Sequence, residues 1–81
     1  MTRLPRDLDG DALAKALATL GYAPSRQTGS HMRLTTSVRD EHHLTVPRHD
    51  PLRIGTLSGI LGEVAAHFNV SRDDIIERLF G

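Results

Sequence analysis

The chain contains no cysteine. Without thiols it has neither a disulfide framework nor a thiolate metal site, and a reducing cytoplasm is the expected setting. No apolar run approaches the roughly 20 residues that a membrane-spanning helix needs. The first residues also lack the apolar core of a signal peptide. Neither sign of charge is in excess: ten Lys and Arg balance ten Asp and Glu, so the net charge is zero with the five His neutral. A nucleic-acid binder usually carries a basic footprint, and composition alone does not demand one here. The balance is uneven along the chain, with five Arg against three acids from Tyr22 to Ile60 and two Arg against four acids from Leu61 to Gly81. Repeats, linkers and low-complexity segments are missing as well. The 81 residues are expected to form one small domain, 1–81, with a single modest core.

What is present is organised around Thr28-Gly29-Ser30-His31-Met32-Arg33-Leu34. Gly29 supplies the backbone freedom of a hairpin turn. The strand after it alternates, with Ser30, Met32 and Leu34 on one face and His31, Arg33 and Thr35 on the other. With Met32 and Leu34 toward the core, His31 and Arg33 stand side by side on the open face. An imidazole moves protons near neutral pH and a guanidinium holds an anion, a pairing suited to a phosphate. A solvated sheet face explains the same residues without function.

Before this stretch, Met1 to Leu8 reads as an entry segment. Asp9 is placed to cap a helix whose first turn holds Asp11. Leu13, Leu17 and Leu20 recur at helical spacing, and Gly21 stands where a left-handed C-cap wants glycine. Tyr22 to Gln27 is predicted as a short strand that Pro24 confines to an edge or makes irregular. After a polar link, Ser37 to Glu41, a third strand runs from His42 to Pro47, with Leu44 and Val46 sharing the core face and His43 placed on the same face as His31. Arg48 to Gly55 is a loop, and Thr56 is predicted to cap a helix with an apolar stripe at Leu57, Ile60, Leu61, Val64, Ala65 and Phe68. Gly59 and Gly62 interrupt that helix and mean either close approach by another group or simple tolerance. Asn69 ends it, and Ser71 with Asp74 opens a last short helix bearing Ile75, Ile76, Leu79 and Phe80. The order is helix, three strands, helix, short helix: an α+β chain with one antiparallel sheet covered on one face.

In this order the motifs resemble the HicA family of bacterial toxins. Leu4-Pro5 leads into the first helix, and Leu17 to Tyr22 (Leu-Ala-Thr-Leu-Gly-Tyr) is similar to that family's leucine-glycine-aromatic helix end. Gln27 to His31 carries its glycine-serine-histidine signature, and Thr45-Val46-Pro47-Arg48-His49 its valine-proline-x-histidine segment. Arg53-Ile54-Gly55-Thr56-Leu57, followed by Ile60-Leu61, resembles its basic-x-glycine-threonine-leucine helix entry. Gly-Ser-His-Met is also a scar of tag removal, but scars lie at a terminus and this one is internal.

The resemblance implies a fold like the double-stranded-RNA-binding domain, α-β-β-β-α with an extra C-terminal helix. It implies cleavage of messenger RNA without a cofactor or metal, and inhibition by a HicB-like antitoxin. The family's catalytic histidine corresponds to His31. Ser30, Arg33, Arg53, Gly55 and Thr56 are candidates for holding RNA phosphate, the last two through free amides at a helix N-terminus. His49 fits the motif either as an accessory acid or as a loop residue bonded to backbone. Gly62 departs from the pattern, standing where many relatives carry a basic residue. His42 and His67 are read as structural or incidental, and His43 as a solvated strand residue. Three rivals remain: a non-catalytic RNA-binding module of the same fold; a metal site from His31, His42, His43 and His49, which lacks regular ligand spacing; and a structural or interaction protein whose exposed face docks a partner.

Overall fold

The computed structural model describes residues 4–81; Met1 to Arg3, in the predicted entry segment, lie outside the described residues. Helix α1 spans Gly10–Leu17 and tightens into a 3-10 turn over Ala18–Leu20. Strands β1 (Ala23–Thr28), β2 (His31–Thr36) and β3 (His42–Pro47) follow, then helices α2 (Ile54–Phe68) and α3 (Arg72–Phe80). The strands form one antiparallel sheet in the order β1-β2-β3. Among the described residues no helix is long and apolar enough to cross a membrane.

Local chemistry sets most of these boundaries. The Asp9 side chain accepts the Ala12 amide at 2.7 Å, satisfying one of the donors a helix start leaves open. The first helix ends because Gly21 takes φ +89°. The Gly21 amide then bonds Ala18 and the Tyr22 amide bonds Leu17. Tyr22 is drawn into this C-terminal motif and is fully buried. The first strand therefore begins one residue later than predicted and runs to Thr28 rather than Gln27. It is an edge strand, as Pro24 requires, and its pairing is irregular between Pro24 and Arg26.

A two-residue turn, Gly29-Ser30, joins β1 to β2, with Gly29 at φ +55°. Ser30 belongs to this exposed turn, so it does not share the core face with Met32 and Leu34 as predicted. Met32, Leu34, Leu44 and Val46 point into the core, against Leu13 and Leu17 of α1 and Leu57, Ile60, Leu61 and Val64 of α2. The link after β2 turns through Arg39 (φ +55°) and Asp40 (φ +82°). Long-range bonds hold it: His67 Nε2 to the Val38 carbonyl at 2.7 Å and Arg39 to the Phe68 carbonyl at 2.9 Å. No local turn signal announces such anchoring.

Thr56 does not cap α2. The helix begins three residues earlier, at Ile54, with Arg53 at the N-cap and no side-chain cap bond. Leu52 and Leu57 flank this start and are both buried, the hydrophobic-staple arrangement that fixes the entry of a chain into a helix. Burial of two leucines outweighs a threonine cap worth about 1 kcal/mol. The other end follows expectation, with Asn69 in the left-handed region at φ +56°. In α3 the Ser71 hydroxyl accepts the Asp74 amide at 3.0 Å, while Ile75 and Ile76 are buried. Nothing lies within 4 Å of a Cβ built on Gly59, so that glycine is tolerance rather than close approach. Over Gly62 lies the guanidinium of Arg72, which bonds Ser58 Oγ at 2.6 Å.

Candidate active site

The helices cover one face of the sheet, and the other is open. On it β1 and β2 bring Thr28 opposite His31 and Arg26 opposite Arg33, while β3 sets Thr45 opposite Arg33. These side chains, with Met32, line a concavity of about 180 Å³. His31 and Arg33 are exposed there. Neither side chain has a hydrogen bond or ion pair within the described residues, which leaves both free for a ligand. The arrangement is an imidazole and two arginines around a hollow, with threonine hydroxyls at its wall.

The end of the sheet that carries His31 is braced from behind. Pro47 pairs with His31, and the Arg48 amide bonds the Ser30 carbonyl at 2.6 Å. The Arg48 guanidinium is bidentate to Asp11 at 3.1 and 3.2 Å, and the Gly10 amide bonds the His49 carbonyl at 3.0 Å. The Val-Pro-Arg-His segment is thus the joint between α1 and the hairpin. His49 takes part through its backbone, and its exposed ring lies outside the lining of the concavity.

The structure does not gather all the predicted phosphate contacts. Ser30 sits in the turn, and Arg53, Gly55 and Thr56 form the start of α2 in the helical layer; none of these four lines the concavity. Conversely, Arg26, Thr28 and Thr45 line it and were not singled out from sequence. Their place follows from strand register, which residue types do not reveal.

His43 is on the open face with His31, as expected, but it pairs with Thr35, four residues along β2 from His31, or about 13 Å. It bonds Thr35 Oγ1 at 2.7 Å and Glu41 at 3.1 Å. His42 and His67 are structural. His42 Nδ1 and the Tyr22 hydroxyl are 2.8 Å apart, and the two imidazoles stack with centroids 4.5 Å apart. Burial, then the neighbouring His67, push the His42 pKa below its usual value, with Glu63 opposing. Burial, assisted by Glu63, raises the Tyr22 hydroxyl to about 12. Among the described residues no three or more His, Cys, Asp or Glu side chains lie together as a metal site would need.

Comparison with known proteins bears on the same residues. The family model for the HicA toxin of bacterial toxin–antitoxin systems matches residues 10–65, more than half of the 81-residue chain. The chain belongs to the HicA toxin family. No match is found among curated proteins or solved structures. The HicA match runs from the first residue of α1 into α2 and takes in the whole sheet, the His31 concavity and the joint behind it. Helix α3 lies outside the HicA match and packs Ile75 and Ile76 into the common core.

Proposed function

We propose that this HicA toxin is a metal-independent endoribonuclease that cleaves messenger RNA and is held inactive by a HicB-like antitoxin covering the His31 face. The observation that carries the reading is His31 beside Arg33 in an exposed polar concavity, with neither side chain engaged by the protein. RNA brings its own nucleophile. Removal of the 2′-hydroxyl proton lets that oxygen attack the adjacent phosphorus, and the bond to the 5′-oxygen breaks as that oxygen gains a proton. An imidazole suits such proton transfer, a contribution of typically 10²–10⁴-fold. A guanidinium beside it stabilises the extra negative charge on the phosphorus centre through charge-assisted hydrogen bonds.

The zero net charge is compatible with this because the charges are segregated. The three strands hold two Arg and three His and not one Asp or Glu. The acids lie in the helices, their caps and the loops. The face offered to RNA is basic although the chain is neutral.

The test is RNA degradation in EDTA by the purified protein and by His31→Ala. The expected result is cleavage by the wild type and a rate lower by about 10²–10⁴-fold in the variant, with an unchanged far-ultraviolet circular dichroism spectrum. Equal cleavage by both would remove His31 from the chemistry. Binding without cleavage by the wild type would mean an RNA-binding module instead.

A further inference from the structure

The β1–β2 ladder is interrupted at one place. Pro24 pairs with Leu34 and the next pair is Arg26 with Arg33, so Ser25 is an inserted residue. In an uninterrupted ladder Ser25 would face Arg33, and Arg26 would face Met32 on the core side. Successive strand residues alternate between faces, so one inserted residue moves all that follow to the other face. The bulge is what brings Arg26 to the open face, and Thr28 with it.

The bulge is held by a chain of side chains. Ser25 Oγ donates to the Arg33 carbonyl at 3.2 Å and lies 2.8 Å from Thr35 Oγ1. A serine has one hydroxyl proton, and here the carbonyl takes it. Thr35 therefore donates to Ser25; its oxygen lies 2.7 Å from His43 Nδ1, and His43 Nε2 lies 3.1 Å from Glu41. Both hydroxyls are committed within the sheet. The cluster is a brace for the bulge, not a nucleophile with its base.

What the brace maintains is electrostatically unfavourable in the free protein. Two arginines stand directly opposite each other in the ladder, and like charges at such positions repel. Neither the Arg26 nor the Arg33 side chain has a hydrogen bond or ion pair among the described residues, and the strands contain no carboxylate to relieve them. An anion between the two would turn repulsion into a bridge. We propose that Arg26, carried across by the Ser25 bulge, forms with Arg33 a two-guanidinium clamp for a phosphodiester of the RNA bound in the His31 concavity. The assignment rests on the ribonuclease reading for its ligand and on the register for its geometry.

The experiment is binding of a single-stranded 2′-O-methyl oligonucleotide, which has no 2′-proton to remove and so stays intact, followed by fluorescence anisotropy at several salt concentrations. Wild type, Arg26→Gln and Arg26→Lys are compared. Arg26→Gln is expected to bind roughly tenfold more weakly at low salt, and its plot of log affinity against log salt is expected to be shallower by about 0.7, one phosphate contact on a single strand. Arg26→Lys keeps the salt slope and loses part of the affinity, because an ammonium retains the charge but not the fork. On cleavable RNA, Arg26→Gln raises KM and leaves the pH profile of kcat in place. Unchanged affinity and slope in Arg26→Gln would overturn the clamp. Wild type that binds but does not cleave would defeat the ribonuclease reading alone, since the Arg26 comparison is still decided by binding. Wild type that does not bind would defeat both.

Discussion

A methyl group at position 10 would have nowhere to go. A Cβ built on Gly10 runs into the Pro47 carbonyl and against the Arg48 Cα, both of them backbone that no rotamer change can move aside. Gly10 is the first residue of α1, where alanine would be the better helix former by up to about 1 kcal/mol. Overpacking of this kind costs about 1–3 kcal/mol, so the clash should win. Gly10→Ala is predicted to lower the urea midpoint accordingly. On the proposed ribonuclease reading it should also lower cleavage, because Pro47 pairs with His31 and the Arg48 amide bonds Ser30. A variant as stable and as active as wild type would show that the joint can yield. The neighbouring Arg48–Asp11 pair is exposed on both sides and worth at most about 1 kcal/mol, so close backbone packing rather than the ion pair holds α1 to the site.

Helix α3 separates two contributions that a helix makes. Its start is capped by Ser71, and its buried face consists of Ile75 and Ile76. Removing the cap with Ser71→Ala is expected to cost about 1 kcal/mol, and emptying the core with Ile75→Ala about 2–5 kcal/mol. Denaturant titration of both variants checks the order; a larger loss for Ser71→Ala would mean that α3 is held by its end, not its face. Both features of α3 were legible in the sequence, as were the Asp9 cap, the Asn69 stop, the bounds of β3 and the His31–Arg33 display. Each is written in residues within one or two turns of one another. The elements that sequence misplaced depend on partners far along the chain. Thr56 looked like a cap because the staple between Leu52 and Leu57 spans the start it seemed to mark. Arg26 escaped notice because its face depends on one inserted residue, and an exposed edge strand has no buried alternation to reveal the slip. The link from Ser37 to Glu41 is tied by His67 and Arg39 across to the end of α2, and no local pattern encodes that.

At the scale of the whole molecule, titratable groups divide into two sets at opposite ends of the sheet. His31 stands exposed in the concavity at one end, while His42, His67 and Tyr22 are packed at the other. The second set ties folding to pH. His42 is surrounded by the Tyr22 hydroxyl, the stacked His67 ring, the Glu63 carboxylate and His43, and the balance of burial and neighbouring imidazoles holds its pKa below 6.5. Tyr22, raised to about 12, keeps its proton throughout the neutral range and remains a donor to a neutral His42. The unfolded chain takes up a proton on His42 at a higher pH than the folded chain does. The resulting stability is complete above pH about 6.5 and is lost as pH falls below it toward the lower folded value. Melting temperatures measured at pH 7.5 and 5.5 should therefore fall with acid in the wild type. His42→Asn, which cannot take up that proton, should start from a lower melting temperature and fall less between the same two values. An equal fall in both proteins would assign the acid sensitivity to the carboxylates rather than to the stacked imidazoles. A shallower fall in the variant would place it where α2, β3 and Tyr22 meet, at the opposite end of the sheet from His31.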